Sequence, residues 1–339
     1  MRRNQWPIWG LSLLVASAAF IVAANTANAE PRVVRIAKQY GISYLPLTVM
    51  EEKKLLEAEG KKLGLDLSTE WLRFTGGPPM NEALISGNLD FASGGVGPLV
   101  TVWSRTTKNL KVKGVAALNA MPLYLNSINP NVKTIRDFTE KDRIALPAVR
   151  VSIQAVILQI AAEKEFGKGK EHELDPWTVS LSHPDGLAQM MSGKSEITAH
   201  FTSAPFMYIE LADKRVHLVL NSYDVFGGPH TFNVVWATAK LYEGEPKVVQ
   251  AFLAALSEAM KEIKTDPAAA AALWVKADKS KITPSEAERI IRLPENEWTM
   301  TPKKTMVFAD YMARVGMVPV KATSWKDMFI DAVHNLPGS

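Results

Sequence analysis

The hydrophobic positions of this chain switch repeatedly between short apolar runs and stripes at helical spacing, beginning at Arg32. Val33-Val34-Arg35-Ile36-Ala37 is a β-branched run of strand type. Residues 45–60 place Leu47, Val49, Met50, Leu55 and Leu56 at helical spacing before Gly60 stops them. Residues 65–74 read as a second strand, 80–86 as a helix ended by Gly87, and 88–92 as a third strand. A glycine-rich loop, 93–97, leads to a helix over 99–105 with Pro98 in its first turn, where a missing N–H costs nothing. Residues 112–118 close this half as a fourth strand. Strands alternating with helices predict parallel sheets covered on both faces.

The same order then recurs. Between two extended apolar segments, 123–128 and 232–238, lie strand 143–146, helix 152–166, strand 177–181, helix 184–191, strand 196–201, helix 205–213 and strand 216–220. After Lys240 the pattern is helical, with an amphipathic stripe over 246–265. Further helices are expected over 267–276, from Thr283-Pro284, and over 303–315 and 324–333.

The recurrence is visible residue by residue. Pro78, Ser86, Gly87 and Asp90 fall, at one constant offset, on Pro184, Ser192, Gly193 and Glu196, and Arg35-Ile36-Ala37 is echoed by Arg143-Ile144-Ala145. The chain therefore predicts two similar α/β lobes with a cleft between them, the usual place for a ligand.

At 339 residues with 47% hydrophobic and 22% charged content, the chain is long enough and apolar enough for two cores. A formal charge of +4, without a basic stripe, makes nucleic acid an unsuitable partner. Residues 1–29 read as a cleavable secretory signal: Arg2-Arg3 precede an apolar run too short to span a bilayer, and Ala27-Asn28-Ala29 is the small-x-small pattern before a cut at Glu30. Asn4-Gln5-Trp6 is a poor continuation of a twin-arginine signal. Cysteine is absent, which excludes disulfides, thiolate metal sites and a lipid-modified amino terminus. The expected product is a free periplasmic protein, monomeric and without a cofactor.

In parallel α/β sheets ligands sit where strands run into helices and the helix N-termini expose unpaired N–H groups. Four loops qualify: 39–43, 93–97, 147–152 and 200–203, two per lobe. They put forward Gln39, Tyr40, Gly41, Gly94, Gly95, Val96, Ser152, His200 and Phe201. Glycines there let backbone approach a ligand closely, and Arg150 is a candidate partner for a carboxylate or sulfonate. Phe74 and Trp236, with Tyr44 and Phe206, are aromatic candidates for pocket walls. No HExxH spacing, G-x-S-x-G elbow, P-loop or dinucleotide glycine motif occurs.

Several segments together resemble the nitrate/sulfonate/taurine (NitT/TauT) family of periplasmic solute-binding proteins of ABC transporters. They are Leu84-Ile85-Ser86-Gly87-Asn88-Leu89-Asp90-Phe91 followed by Gly97-Pro98, Asn129-Pro130 with Ile135-Arg136-Asp137-Phe138, and Asp266-Pro267-Ala268-Ala269-Ala270. The resemblance implies a type II periplasmic-binding fold: two doubly wound α/β lobes joined by two crossing strands, with the helical tail packed on the first lobe. On that expectation residues 30–124 with 235–339 form lobe 1 and 125–234 form lobe 2. It also implies capture of a small organic anion in the cleft by hinge closure, and delivery to a membrane permease and its ATPase subunit. Family contacts carry over by position to Gln39, Tyr40, Gly95, Val96, Ser152 and His200. Val149-Arg150-Val151 departs from the family by having no glycine in the second-lobe loop. The alternatives are an enzyme resembling the pyrimidine-precursor or menaquinone-pathway synthases of this fold, and a ligand-sensing module of a membrane receptor.

Overall fold

The computed structural model describes residues 30–339; the expected signal, 1–29, lies outside the described residues. The first set of elements is β1 (Arg32–Lys38), α1 (Leu45–Glu52), α2 (Leu55–Lys62), β2 (Leu67–Arg73), α3 (Gly77–Ile85), β3 (Ala92–Gly95), α4 (Val96–Thr106) and β4 (Lys113–Ala117). The chain then crosses to β5 (Tyr124–Ser127), β6 (Ile144–Leu146), α5 (Ile153–Phe166), β7 (Thr178–Ser180), α6 (His183–Ser192), β8 (Ala199–Thr202), α7 (Phe206–Leu211), β9 (His217–Asn221) and α8 (Ser222–Phe226). It returns through β10 (Asn233–Ala237). Helices finish it: α9 (Ala239–Tyr242), α10 (Pro246–Thr265), α11 (Pro267–Ala277), α12 (Pro284–Ile291), α13 (Thr305–Arg314) and α14 (Trp325–Met328).

The strands make two sheets of one design. In lobe 2 the order is β7-β6-β8-β5-β9. In lobe 1, β1 pairs with β2, an Ile36–Phe91 bridge joins β1 to the segment entering β3, and β10 lies between β3 and β4. The sheets are not wholly parallel as the pattern predicted. β5 runs antiparallel to β8 and β9, and β10 antiparallel to β3 and β4. Each of these strands arrives from the opposite lobe, so it enters its sheet against the local direction. The two crossings hold each other at an Ala120–Thr231 bridge, with Leu118 N–H donating to Asn233 O at 2.8 Å.

Helix 45–60 breaks into two at Lys54, whose φ of 51° is left-handed. Strand β3 starts later than the sequence pattern indicates and takes in Ser93-Gly94-Gly95, which read as a loop. Its glycines serve close packing rather than a turn. A Cβ on Gly94 would lie 3.1 Å from the Trp236 ring, and one on Gly95 would lie 2.5 Å from Ile153 Cγ2.

The two ends of the sequence echo meet inside each lobe. Arg35 Nε lies 3.2 Å from Asp90 Oδ2, and at the matching place Arg143 Nε lies 3.8 Å from Glu196 Oε2. Helices α10 and α11 pack on α1, and α10 also on α2, bracing lobe 1. The tail nevertheless reaches lobe 2 as well. Tyr124 and Tyr208 hydroxyls donate to Glu295 Oε1 at 3.3 and 2.8 Å, Tyr223 donates to Glu295 O, and Arg314 on α13 pairs with Glu163 on α5.

Candidate functional site

Four helices start at the carboxyl ends of strands on the faces where the lobes meet: α3 and α4 in lobe 1, α5 and α6 in lobe 2. Their first turns enclose a cavity of about 20 Å³, bordered by Gly77 of α3, Gly95 and Pro98 at the head of α4, Ser152, Ile153 and Gln154 at the head of α5, and His183, the first residue of α6. Gln39, Tyr40, Tyr44 and Pro147 complete the walls, with Phe232 from a crossing. Each helix has at least nine residues, enough to present a full dipole end.

The two lobes treat their helix ends differently. In lobe 2, Ser152 accepts from Ala155 N–H and Ser182 from Asp185 N–H, so both ends carry their own caps. In lobe 1 the caps are Gly76 and Gly95, which have no side chain to offer. The uncapped ends therefore lie on one side of the cavity and the capped ends on the other.

The cleft is closed. Gly95 backs directly onto Ile153, a Cβ on Gly76 would lie 3.1 Å from Pro147 O, and Ile42 N–H donates to Ala204 O at 3.2 Å across the lobes. A cavity of this size holds one water, so any organic solute must enter with the lobes apart. Larger grooves, such as one of about 390 Å³ between α1, α10 and α11, open onto the outer surface of lobe 1 away from the helix ends.

Of the residues put forward by sequence, Gln39, Tyr40, Gly95 and Ser152 border the cavity. Gln39 Nε2 donates to Ser93 O at 3.2 Å, and the Arg73 guanidinium sits over the Tyr40 ring at 5.1 Å. Gly41 lies at the lobe contact instead, with φ 116° and no room for a Cβ beside Ala204 O. Gly94 is covered by Trp236, whose indole N–H donates to Asn81 inside lobe 1. Val96 and Phe201 are fully buried away from the cavity, and Phe74 is half-buried outside it.

Arg150 does not point into the cleft. Its side chain is 76% exposed and rests 3.9 Å from Asp175, because a left-handed backbone at φ 65° turns it outward. His200 is fully buried behind the wall, 3.3 Å from the His183 ring that does border the cavity.

The sequence reading passed over Gly77, Pro98, Ile153, Gln154, His183 and Phe232 as site residues, whereas Tyr44, offered as an aromatic wall, and Pro147, at the start of the candidate loop 147–152, do border the cavity. One signal was present: Gly77 and His183 stand immediately before the repeated prolines Pro78 and Pro184, so the echo marks equivalent wall positions in both lobes. Burial, reinforced by the charge of His200, holds the His183 pKa well below its ordinary value and the ring neutral.

No protein-family model and no curated protein sequence matches the chain. Solved structures do. The alkanesulfonate-binding protein SsuA from Xanthomonas axonopodis pv. citri, solved bound to MOPS, superposes with a TM-score of 0.68 at 18% identity, over 86% of this chain and 96% of that one. The periplasmic aliphatic sulphonate binding protein SsuA from Escherichia coli gives 0.63 at 19%, over 88% and 99%. The periplasmic nitrate-binding protein NrtA from Synechocystis PCC 6803 gives 0.67 at 14%, over 86% and 83%. With two sheets of matching order, paired crossings and these superpositions, the chain has the periplasmic-binding-protein fold.

Proposed function

We propose that this protein is the periplasmic substrate-binding component of an ABC importer, closing on a small organic anion and delivering it to a membrane permease and, through it, an ATPase subunit. The observation that carries this reading is the convergence of four helix N-termini, two from each lobe, on one interlobe cavity. Each such end favours negative charge by about 0.3–1 kcal/mol when exposed and up to about 2 kcal/mol when partly buried. Sulfonates, taurine-like compounds and carboxylates combine that charge with an organic body suited to Tyr40, Tyr44 and Phe232. The resemblance at sequence level and the sulfonate- and nitrate-binding proteins of the same fold point the same way.

In this reading residues 30–124 with 235–339 and residues 125–234 are the two jaws, and Gln39, Tyr40, Gly95, Ser152 and His183 are the principal contacts. None of the described helices is long and apolar enough to cross a membrane.

A ligand that binds only the folded state raises its melting temperature by mass action. The mature protein, residues 30–339, is expected to gain several degrees with one class among nitrate, methanesulfonate, taurine, MOPS, acetate and benzoate at millimolar concentration. A melting curve indifferent to every one of them would sink the anion-binding reading.

A further inference from the structure

A compact cluster of charge stands beside the Tyr40 wall of the cavity. Strands β1 and β2 pair in parallel so that their last residues, Lys38 and Arg73, lie next to each other, and two cations in that position repel. Each is held by a carboxylate of its own. Lys38, 4% exposed, pairs with Glu51 of α1 and donates to Thr48 Oγ1 at 3.0 Å. Arg73 pairs with Asp278, whose side chain is 12% exposed.

Asp278 is an acid in an unfavourable place. It caps the C-terminus of α11, where the helix end is itself negative and a carboxylate is disfavoured. Burial raises its pKa, with the charge of Arg73 opposing that rise. Like charges at neighbouring strand ends and an acid at a helix C-terminus are two local rules broken together, the mark of positions held for function. What the arrangement achieves is the direction of one guanidinium: the tail reaches across to Arg73 and holds it 5.1 Å from the centre of the Tyr40 ring.

Tyr40 borders the cavity and Arg73 does not, so the guanidinium acts on the site through the ring. The chain on either side of Tyr40 is already fixed. Gln39 Nε2 donates to Ser93 O at 3.2 Å, and Gly41 is pressed against Ala204 O at the lobe contact. The freedom left at Tyr40 is the side-chain torsions that set the plane of its ring, and a cation over an aromatic face restrains them.

We propose that Tyr40 is the specificity-determining wall against which the organic body of the solute packs, and that Arg73, held by Asp278, is the positioning residue that fixes its plane. This rests on the solute-binding reading above and deepens it. A ring clamped from outside the cavity presents a rigid apolar surface at little entropic cost, which favours an anion carrying an organic body over a bare inorganic one.

The test combines affinity with the state of the ring. In titrations of the mature protein with nitrate, methanesulfonate, taurine, MOPS, acetate and benzoate, the tightest member is expected to be an organic one. That member is expected to bind Y40A at least about tenfold more weakly than wild type and R73M at least about fivefold more weakly, with R73K recovering part of the loss. R73M/Y40A is expected to bind it no more weakly than Y40A, since Arg73 acts through the ring. R73M/D278N, which leaves neither charge alone, is expected to match R73M and serves in its place should R73M not fold. Aromatic ¹H–¹³C spectra of tyrosine-labelled protein, with Tyr40 assigned from Y40F, are expected to show the Tyr40 resonances displaced in R73M and returned toward wild type in R73K. Unmoved Tyr40 resonances in R73M, wild-type affinity in R73M or Y40A, a further loss in R73M/Y40A, or a wild type that binds nitrate alone overturns the proposal while leaving the importer reading intact. Wild type that binds no member sinks the importer reading and the ligand role of Tyr40 with it, whatever the spectra.

Discussion

His230, wholly buried beside a crossing, shows how one residue makes stability depend on pH. Its Nδ1–H donates to Thr231 O at 2.9 Å, and its Nε2 lies 2.8 Å from Ser222 Oγ, which in turn accepts from Leu123 N–H at 2.8 Å. The neutral ring fits this chain, with Nε2 accepting from the Ser222 hydroxyl. Burial, which outweighs the raising effect of the Thr231 hydrogen bond and is helped by the charge of Lys304, lowers its pKa from 6.5 to about 4. Between those values the unfolded chain binds the extra proton and the folded one does not, so stability is complete above pH 6.5 and falls as pH drops, by roughly 3 kcal/mol at pH 4. H230Q is expected to lose much of that slope in melting curves taken from pH 7 to pH 4. His183 contributes in the same sense, so a residual slope remains. A variant as steep as wild type would show that His230 is not held neutral. At this scale sequence was least informative: Arg150 read as a ligand partner and His183 drew no notice, because neither burial nor side-chain direction is written in residue identity.

Among elements, the duplicated ion pair separates what a repeat conserves from what each copy is worth. Asp90 links β1 to the approach to β3: burial opposes its charge, but hydrogen bonds from the Arg32 side chain, the Arg35 backbone and the Arg35 side chain outweigh that and lower its pKa. Its contribution is therefore present above the ordinary carboxylate range and lost as pH falls through the lowered value. Glu196, at the equivalent place, is 70% exposed and 3.8 Å from Arg143. D90N is expected to destabilise the protein by about 2 kcal/mol, since it leaves two partly buried arginines without their charged acceptor. E196Q is expected to cost less than about 1 kcal/mol. Chemical denaturation of both variants checks the contrast, and equal losses would show that burial does not set the difference. Element order, and most helices, were legible from periodicity and proline positions; α10 begins at Pro246 and ends at Thr265 as its stripe indicates. The exceptions have local causes. Ser93-Gly94-Gly95 carries turn residues yet forms a strand, because Trp236 and Ile153 fill the space that side chains there would occupy.

For the whole molecule, the proposed closure passes through the contact between Gly95 and Ile153. G95V introduces a side chain whose Cβ alone would lie 2.5 Å from Ile153 Cγ2, so the lobes cannot reach this arrangement. The variant is expected to fold, to show a larger radius of gyration by small-angle scattering than wild type under the same conditions, and to bind the anion probes at least tenfold more weakly. Adding I153A removes the obstruction and is expected to recover much of the affinity. Unaltered scattering and affinity in G95V would show that closure does not pass through this contact. The tail takes part as well: Glu295 receives the hydroxyls of Tyr124, where the chain crosses into β5, and of Tyr208 in lobe 2, while α10 and α11 stay on lobe 1.

Sequence by itself determined the alternation of strands and helices, the two similar halves and the crossings, because periodicity, prolines and glycines act over a few residues. It also marked the cavity indirectly, through a repeat whose flanking residues, Gly77 and His183, form walls. Only the tertiary structure decided the antiparallel course of β5 and β10, the outward turn of Arg150, and the burial of His200 behind His183. Those depend on contacts between residues distant in the chain, and whether a polar side chain meets solvent, a partner or a ligand is settled by what packs around it.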